Sequence, residues 1–205
     1  MSKHDATSTP LIVTDDEVMS LAALTGRAWW TGLRSVDTDD EKDMLRASAR
    51  GLRSMAVRGL VSEEGEPVAE LSLVTACLGV TPSATVAAVD EHDRVLEDAP
   101  LLVLFRTGPA FFVACRSDVS GTHVLHEVDL DDGVDLVAEQ LRTGSDVPVA
   151  AAFWDEAGRP QGGLRRRGGG CWTLGPGGTE LTALDVADDP AAFAEAVASF
   201  WGIPA

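Results

Sequence analysis

The chain has 205 residues, 45% hydrophobic and 24% charged, which suits one domain with a buried core. Sixteen Lys and Arg stand against 33 Asp and Glu, a formal net charge of −17 that disfavours nucleic-acid backbones and anionic membranes as partners. Three scattered cysteines, Cys77, Cys115 and Cys171, give neither a disulfide framework nor a zinc ribbon, and with no membrane-length apolar run and a polar Met1–Pro10 without a signal-peptide core, a cytoplasmic location is expected.

Residues 1–13 read as a flexible tail ahead of one α+β domain over 14–205. Its expected parts are a helical half (14–83) and two β/α repeats (84–146 and 147–205). Thr14-Asp15-Asp16-Glu17 has the form of a capping box, with Val18, Leu21 and Ala22 as the buried stripe of the helix it opens. Thr38-Asp39-Asp40-Glu41 repeats the device before a longer helix, where Leu45, Ser48, Ala49, Leu52, Met55, Ala56 and Gly59 fall on one predicted core face. Trp29-Trp30 lies between the two helices. After the polar turn Ser62–Pro67, a short helix carries Leu71, Val74 and Leu78, and the three helices together are winged-helix-like.

From Val86 the pattern becomes β. Apolar runs at Val86–Val89, Leu101–Phe105, Phe111–Cys115 and Val124–Val128 precede a helix opened by Asp131-Asp132, with Val134, Val137, Ala138 and Leu141 on one side. The unit then returns. Val86-Ala87-Ala88 with Asp90-Glu91 and Arg94 matches Val149-Ala150-Ala151 with Asp155-Glu156 and Arg159. Thr122–Leu125 with Asp131-Asp132 matches Thr179–Thr182 with Asp188-Asp189 and a helix bearing Phe193, Val197 and Phe200. The expected fold is therefore α+β: a helical segment followed by two antiparallel β-plus-helix units related by a pseudo-two-fold axis.

Chemistry is sparse. His123 and His126 stand three apart on one predicted strand and face opposite ways, so they read as surface or edge residues and not as joint metal ligands; His4 and His92 read as tail and turn. No nucleophile elbow or phosphate loop occurs. The acidic pairs Asp15-Asp16, Asp39-Asp40, Asp131-Asp132 and Asp188-Asp189 sit at predicted helix starts and read as caps, while Asp90-Glu91 and Asp155-Glu156 read as hairpin turns. No catalytic residue, metal or cofactor is expected.

The candidate surface is a protein-binding one. Phe111-Phe112 and Phe153-Trp154 put one aromatic on each face of a strand, so one of each pair can face outward. The segment Arg159–Gly170, basic and glycine-rich, reads as a flexible hairpin loop presenting Leu164, Arg165, Arg166 and Arg167. Trp172 and Trp201 read as core.

The order of these features resembles the EspG family, recognition chaperones of type VII (ESX) secretion. The residues carrying the resemblance are Ser54–Val61 with its following Glu-Gly turn, the doubled β unit, Asp155-Glu156-Ala157-Gly158-Arg159, Gly170-Cys171-Trp172-Thr173 and the terminal amphipathic helix. The resemblance implies a cytosolic binding protein without enzymatic activity, whose partner is a helical, partly apolar secreted client. Two alternatives stay open: a winged-helix regulator reading DNA through Arg46, Arg50 and Arg53, and an enzyme using the acidic pairs.

Overall fold

The structure, a computed structural model, describes residues 9–28, 33–92, 94–108, 111–143, 147–176, 180–185 and 189–201. His4, Trp29, Trp30, Thr179 and Asp188 lie outside them. The chain is mixed α+β with antiparallel strand pairing, and it divides into two units. The first comprises residues 1–80 and 120–127, the second 81–119 and 128–205.

In the first unit, β1 (Leu11–Thr14) pairs antiparallel with the start of β5 (Thr122–Asp129), Val13 standing opposite His123. The segment expected to be tail up to residue 13 thus contributes a strand, because its alternation of Val13 inward with Ile12 outward meets a ladder supplied from far along the chain. Helix α1 (Asp15–Thr25) opens with the expected capping box: the Glu17 amide donates to Thr14 Oγ1, and the Thr14 amide to Glu17 Oε2. Helix α2 (Glu41–Val57) is capped by Asp40, which accepts from the Lys42 amide, and not by Thr38. A 3-10 turn (Ala69–Leu71) leads into the six-residue helix α3 (Ser72–Cys77).

The core face of α2 differs from the predicted one. Ala47, Gly51 and Met55 are buried, whereas Leu45 and Leu52 are exposed. The cause is close approach: a Cβ on Gly51 would fall on the Asp16 carbonyl, and Ser20 Oγ donates to the Ser48 carbonyl across the same contact. Helices this near need small residues between them, so the smallest side chains turn inward and the leucines turn out.

In the second unit the strand order is β4-β3-β2-β6-β7-β8-β9, every pair antiparallel. The strands are β2 (Ala84–Ala88), β3 (Leu101–Arg106), β4 (Phe111–Ser117), β6 (Val149–Trp154), β7 (Pro160–Arg167), β8 (Gly170–Leu174) and β9 (Glu180–Leu184). Helices α4 (Leu130–Thr143) and α5 (Pro190–Phe200) share one core with a single sheet face. That core takes alternate residues from successive strands: Val86, Leu104, Phe112, Ala151, Phe153 and Leu164. Phe153 stacks on Phe200 with centroids 4.5 Å apart, and Phe112 on Trp201 at 5.1 Å, so the end of α5 is pinned by aromatic contact. At the helix starts, Asp129 accepts from the Asp132 amide and Asp189 from the Ala191 amide. Asp131 and Asp132 occupy the first turn of α4, where carboxylates meet the positive end of the helix dipole.

Along the chain, four strands and a helix occur in succession twice, β2–β5 with α4 and β6–β9 with α5. The first strands of the two runs, β2 and β6, pair with each other, Val86 opposite Ala151.

Candidate binding site

The sheet face of the second unit opposite α4 and α5 carries an apolar pocket of about 300 Å³ at the end of β6, β7 and β8. Its floor is small. Alternation on β6 sends Val149, Ala151 and Phe153 to the helices and leaves Ala150, Ala152 and Trp154 on this face. On β7, Gly163 stands opposite Ala152, and Gly162 lies in the left-handed region at φ 112° with its missing Cβ directed onto the Leu174 carbonyl. A Cβ on Gly163 would likewise fall on the Ala151 carbonyl. Glycine therefore brings bare backbone to the floor, and Trp154, Pro160, Leu174 and Pro176 rise around it. Among the described residues no titratable side chain lines this hollow.

Charge begins at the rim. Trp154 and Pro160 flank the turn in which Asp155 accepts from the Ala157 and Arg159 amides at Oδ1 and from Arg159 Nε, 2.7 Å away, at Oδ2. Glu156 of the same turn meets Arg106 Nη1 at 2.9 Å. The Asp155 carboxyl is held below its ordinary pKa, chiefly by the Arg159 amide, against a smaller opposing effect of burial. The turn between β2 and β3 has the same construction: Asp90 accepts from the His92 and Arg94 amides and from Arg94 Nε at 2.8 Å. The Arg94 amide and guanidinium lower Asp90 to about 2. Both acidic turns thus stand where the sequence reading put hairpin turns.

The residues proposed from sequence separate into three groups. Phe111 is 50% exposed and Trp154 half-buried, each the outward member of its aromatic pair. Phe111 lies at the same end of the sheet as Trp154, three strands away, about 14 Å by strand spacing. Phe112, Phe153 and Leu164 are inward and fully buried in the helix-covered core.

The arginines need correction. Residues 160–167 form strand β7, not a flexible loop, and the turn proper is Gly168-Gly169. Glycines that read as loop markers serve instead to let β7 pass close to β6 and β8. Arg166 points to the helix side, where it lies over the Phe193 ring at 5.3 Å and donates to the Arg142 carbonyl near the end of α4. Arg165 is buried between Ala150 and Trp172 in the ladder. Arg167 alone of the three is exposed. The pocket residues Ala150, Ala152, Gly162, Gly163 and Leu174 were missed; their signal was the small-residue runs Ala150–Ala152 and Gly162-Gly163 on adjacent strands.

In the first unit, Asp15, Asp16, Glu17 and His123 are engaged structurally. His123, expected at a surface or edge, is buried and donates from Nε2 to Asp15 Oδ1 at 2.6 Å. Asp15 Oδ2 accepts from the Arg34 and Ser35 amides and from Ser35 Oγ. Burial pushes the Asp15 carboxyl up, but the His123 and Ser35 hydrogen bonds outweigh it, and the net displacement is downward. Asp16 takes Arg50 bidentately at 2.7 Å, and the buried Glu17 accepts from Ser54 and Arg58. Burial pushes the Cys171 thiol up, with Arg166 opposing. Among the described residues no group of three or more His, Cys, Asp and Glu is arranged to hold a metal ion. Nor is any described helix long and apolar enough to cross a membrane.

The fold and pocket define an antiparallel α+β protein with an apolar recess on its sheet. No protein-family model and no curated protein matches the chain.

Proposed function

We propose that the chain is a cytoplasmic binding protein of the EspG kind, holding a helical, partly apolar client of a type VII-like secretion pathway. The observation that carries this reading is the recess walled by Trp154, Pro160 and Leu174 over the Ala152 and Gly163 floor. It suits an apolar side chain projecting from a client helix, with an aromatic anchor and a charged rim of the sort that binding surfaces use. A lining in which the described residues offer small and apolar groups favours binding of an apolar side chain as its role.

The repeat reading supports the same assignment. Two runs of four strands and a helix, first strands paired and each first strand followed by a turn in which an Asp accepts from two amides and an Arg Nε, fit two copies of one ancestral unit about a pseudo-two-fold axis.

Affinity purification of the tagged chain from its native cells, with the Ala152→Arg variant in parallel, tests the proposal. Stoichiometric recovery of a helical secreted protein that the variant loses is the expected result. Recovery of no such protein, or equal recovery by the variant with its fold intact, overturns it.

A further inference from the structure

A second surface, on α2, is separate from the pocket and does not rest on the reading above. Leu45, Ala49, Leu52 and Ala56 are all exposed, Leu45 at 64% and Leu52 at 40%. Their spacing of four, three and four residues is that of a coiled-coil seam, a single apolar line about 17 Å long on a helix whose opposite side is already packed through Ala47, Gly51 and Met55. Alanine alternating with leucine lets a second helix approach closely while each leucine fills a gap on the partner.

The charge beside this seam selects the partner. Arg46 and Arg53 follow the two leucines one heptad apart, so they form one basic flank; both are exposed, and neither has an ion-pair partner among the described residues. Arg50 and Arg58, by contrast, are held by Asp16 and Glu17. A second copy of the chain fits poorly. Antiparallel pairing sets Arg46 against the other copy's Arg53, and parallel pairing sets the acidic starts Asp40, Glu41 and Asp43 together. Duplex DNA fits poorly too, since the centre of the surface is apolar and Arg50 is committed. At physiological salt, charges beyond about 8 Å are screened, so for anything seated on the seam the near charges decide, and Arg46 and Arg53 with the exposed Lys42 outnumber Glu41 at the start of the seam.

We propose that the outer face of α2 docks an amphipathic helix whose apolar seam is flanked by Asp or Glu. The probe is a synthetic amphipathic peptide of about five helical turns, with a Leu/Ala seam and Glu at the flanking positions, compared with its Lys-flanked counterpart. Binding to the full chain is read by fluorescence anisotropy at physiological salt. Reversing two exposed ion pairs should make the Glu peptide bind about tenfold tighter than the Lys peptide, and the Arg46→Glu/Arg53→Glu variant should invert that order. Leu45→Lys/Leu52→Lys, whose side chains are already in solvent, should abolish binding of the Glu peptide with an unchanged circular dichroism spectrum. No binding, no inversion, or binding that survives the leucine substitutions overturns the proposal. So does a dimer, or DNA binding, that those substitutions abolish.

Discussion

His123 Nε2 donates to Oδ1 of Asp15 across 2.6 Å, and neither side chain reaches solvent. The pair ties the start of α1 to β5, and the second oxygen of Asp15 holds the backbone at Arg34 and Ser35. One carboxylate therefore fastens three segments of the first unit. Asp15→Ala takes from the buried His123 and from the Arg34 and Ser35 amides their acceptor, and a loss of about 3–5 kcal/mol is expected, as for other broken buried pairs. Urea denaturation measures it; a loss under 1 kcal/mol, with the fold retained, would show that the cluster is not a fastening.

Acid should act through the same carboxylate. Its folded pKa lies below its ordinary value of 3.8, so the stabilisation is fully present above that value and is lost as pH falls through the lower folded value. Thermal unfolding of the Asp15→Asn variant should accordingly be less pH-sensitive than wild type in that window. Parallel curves for the two proteins below the ordinary carboxylate pKa would contradict this.

Gly51→Ala should destabilise the first unit by about 1–3 kcal/mol, or more if the backbone cannot give, because the new methyl meets the Asp16 carbonyl at the α1–α2 contact. Ala49→Gly on the exposed side of α2 serves as the control, with a cost of about 1 kcal/mol from helix propensity alone. A Gly51→Ala protein as stable as wild type would mean that the two helices separate freely.

Asp90→Ala and Asp155→Ala should both lower the melting temperature by small amounts, since each removes two amide hydrogen bonds and one from an arginine Nε in an exposed turn. The effect at Asp155 should be the larger by the one further hydrogen bond it accepts, from Gln161 Nε2. A severe effect at Asp90 alone would break the equivalence of the two turns.

The local devices were legible because they are written in adjacent residues. The capping box at Thr14–Glu17, the turn roles of Asp90 and Asp155, the run of four strands and a helix, and the division of Phe111-Phe112 and Phe153-Trp154 between the two faces of a strand all follow from spacing and period, whereas which member of each pair is covered does not. What depends on partners distant in the chain was decided only in the tertiary structure. Asp15 and His123 are 108 residues apart, so a residue read as a cap and another read as surface became one buried pair. The stripe of α2 could be drawn on more than one face, and the close contact with α1 selected Ala47, Gly51 and Met55. Gly162 and Gly163 signal a loop when neighbours along the chain are considered; beside Ala151 and Leu174 they are the condition for strand β7 to pass at backbone distance and open the recess. Periodicity specifies which residues share a side, but only the approach of another element decides which side is covered.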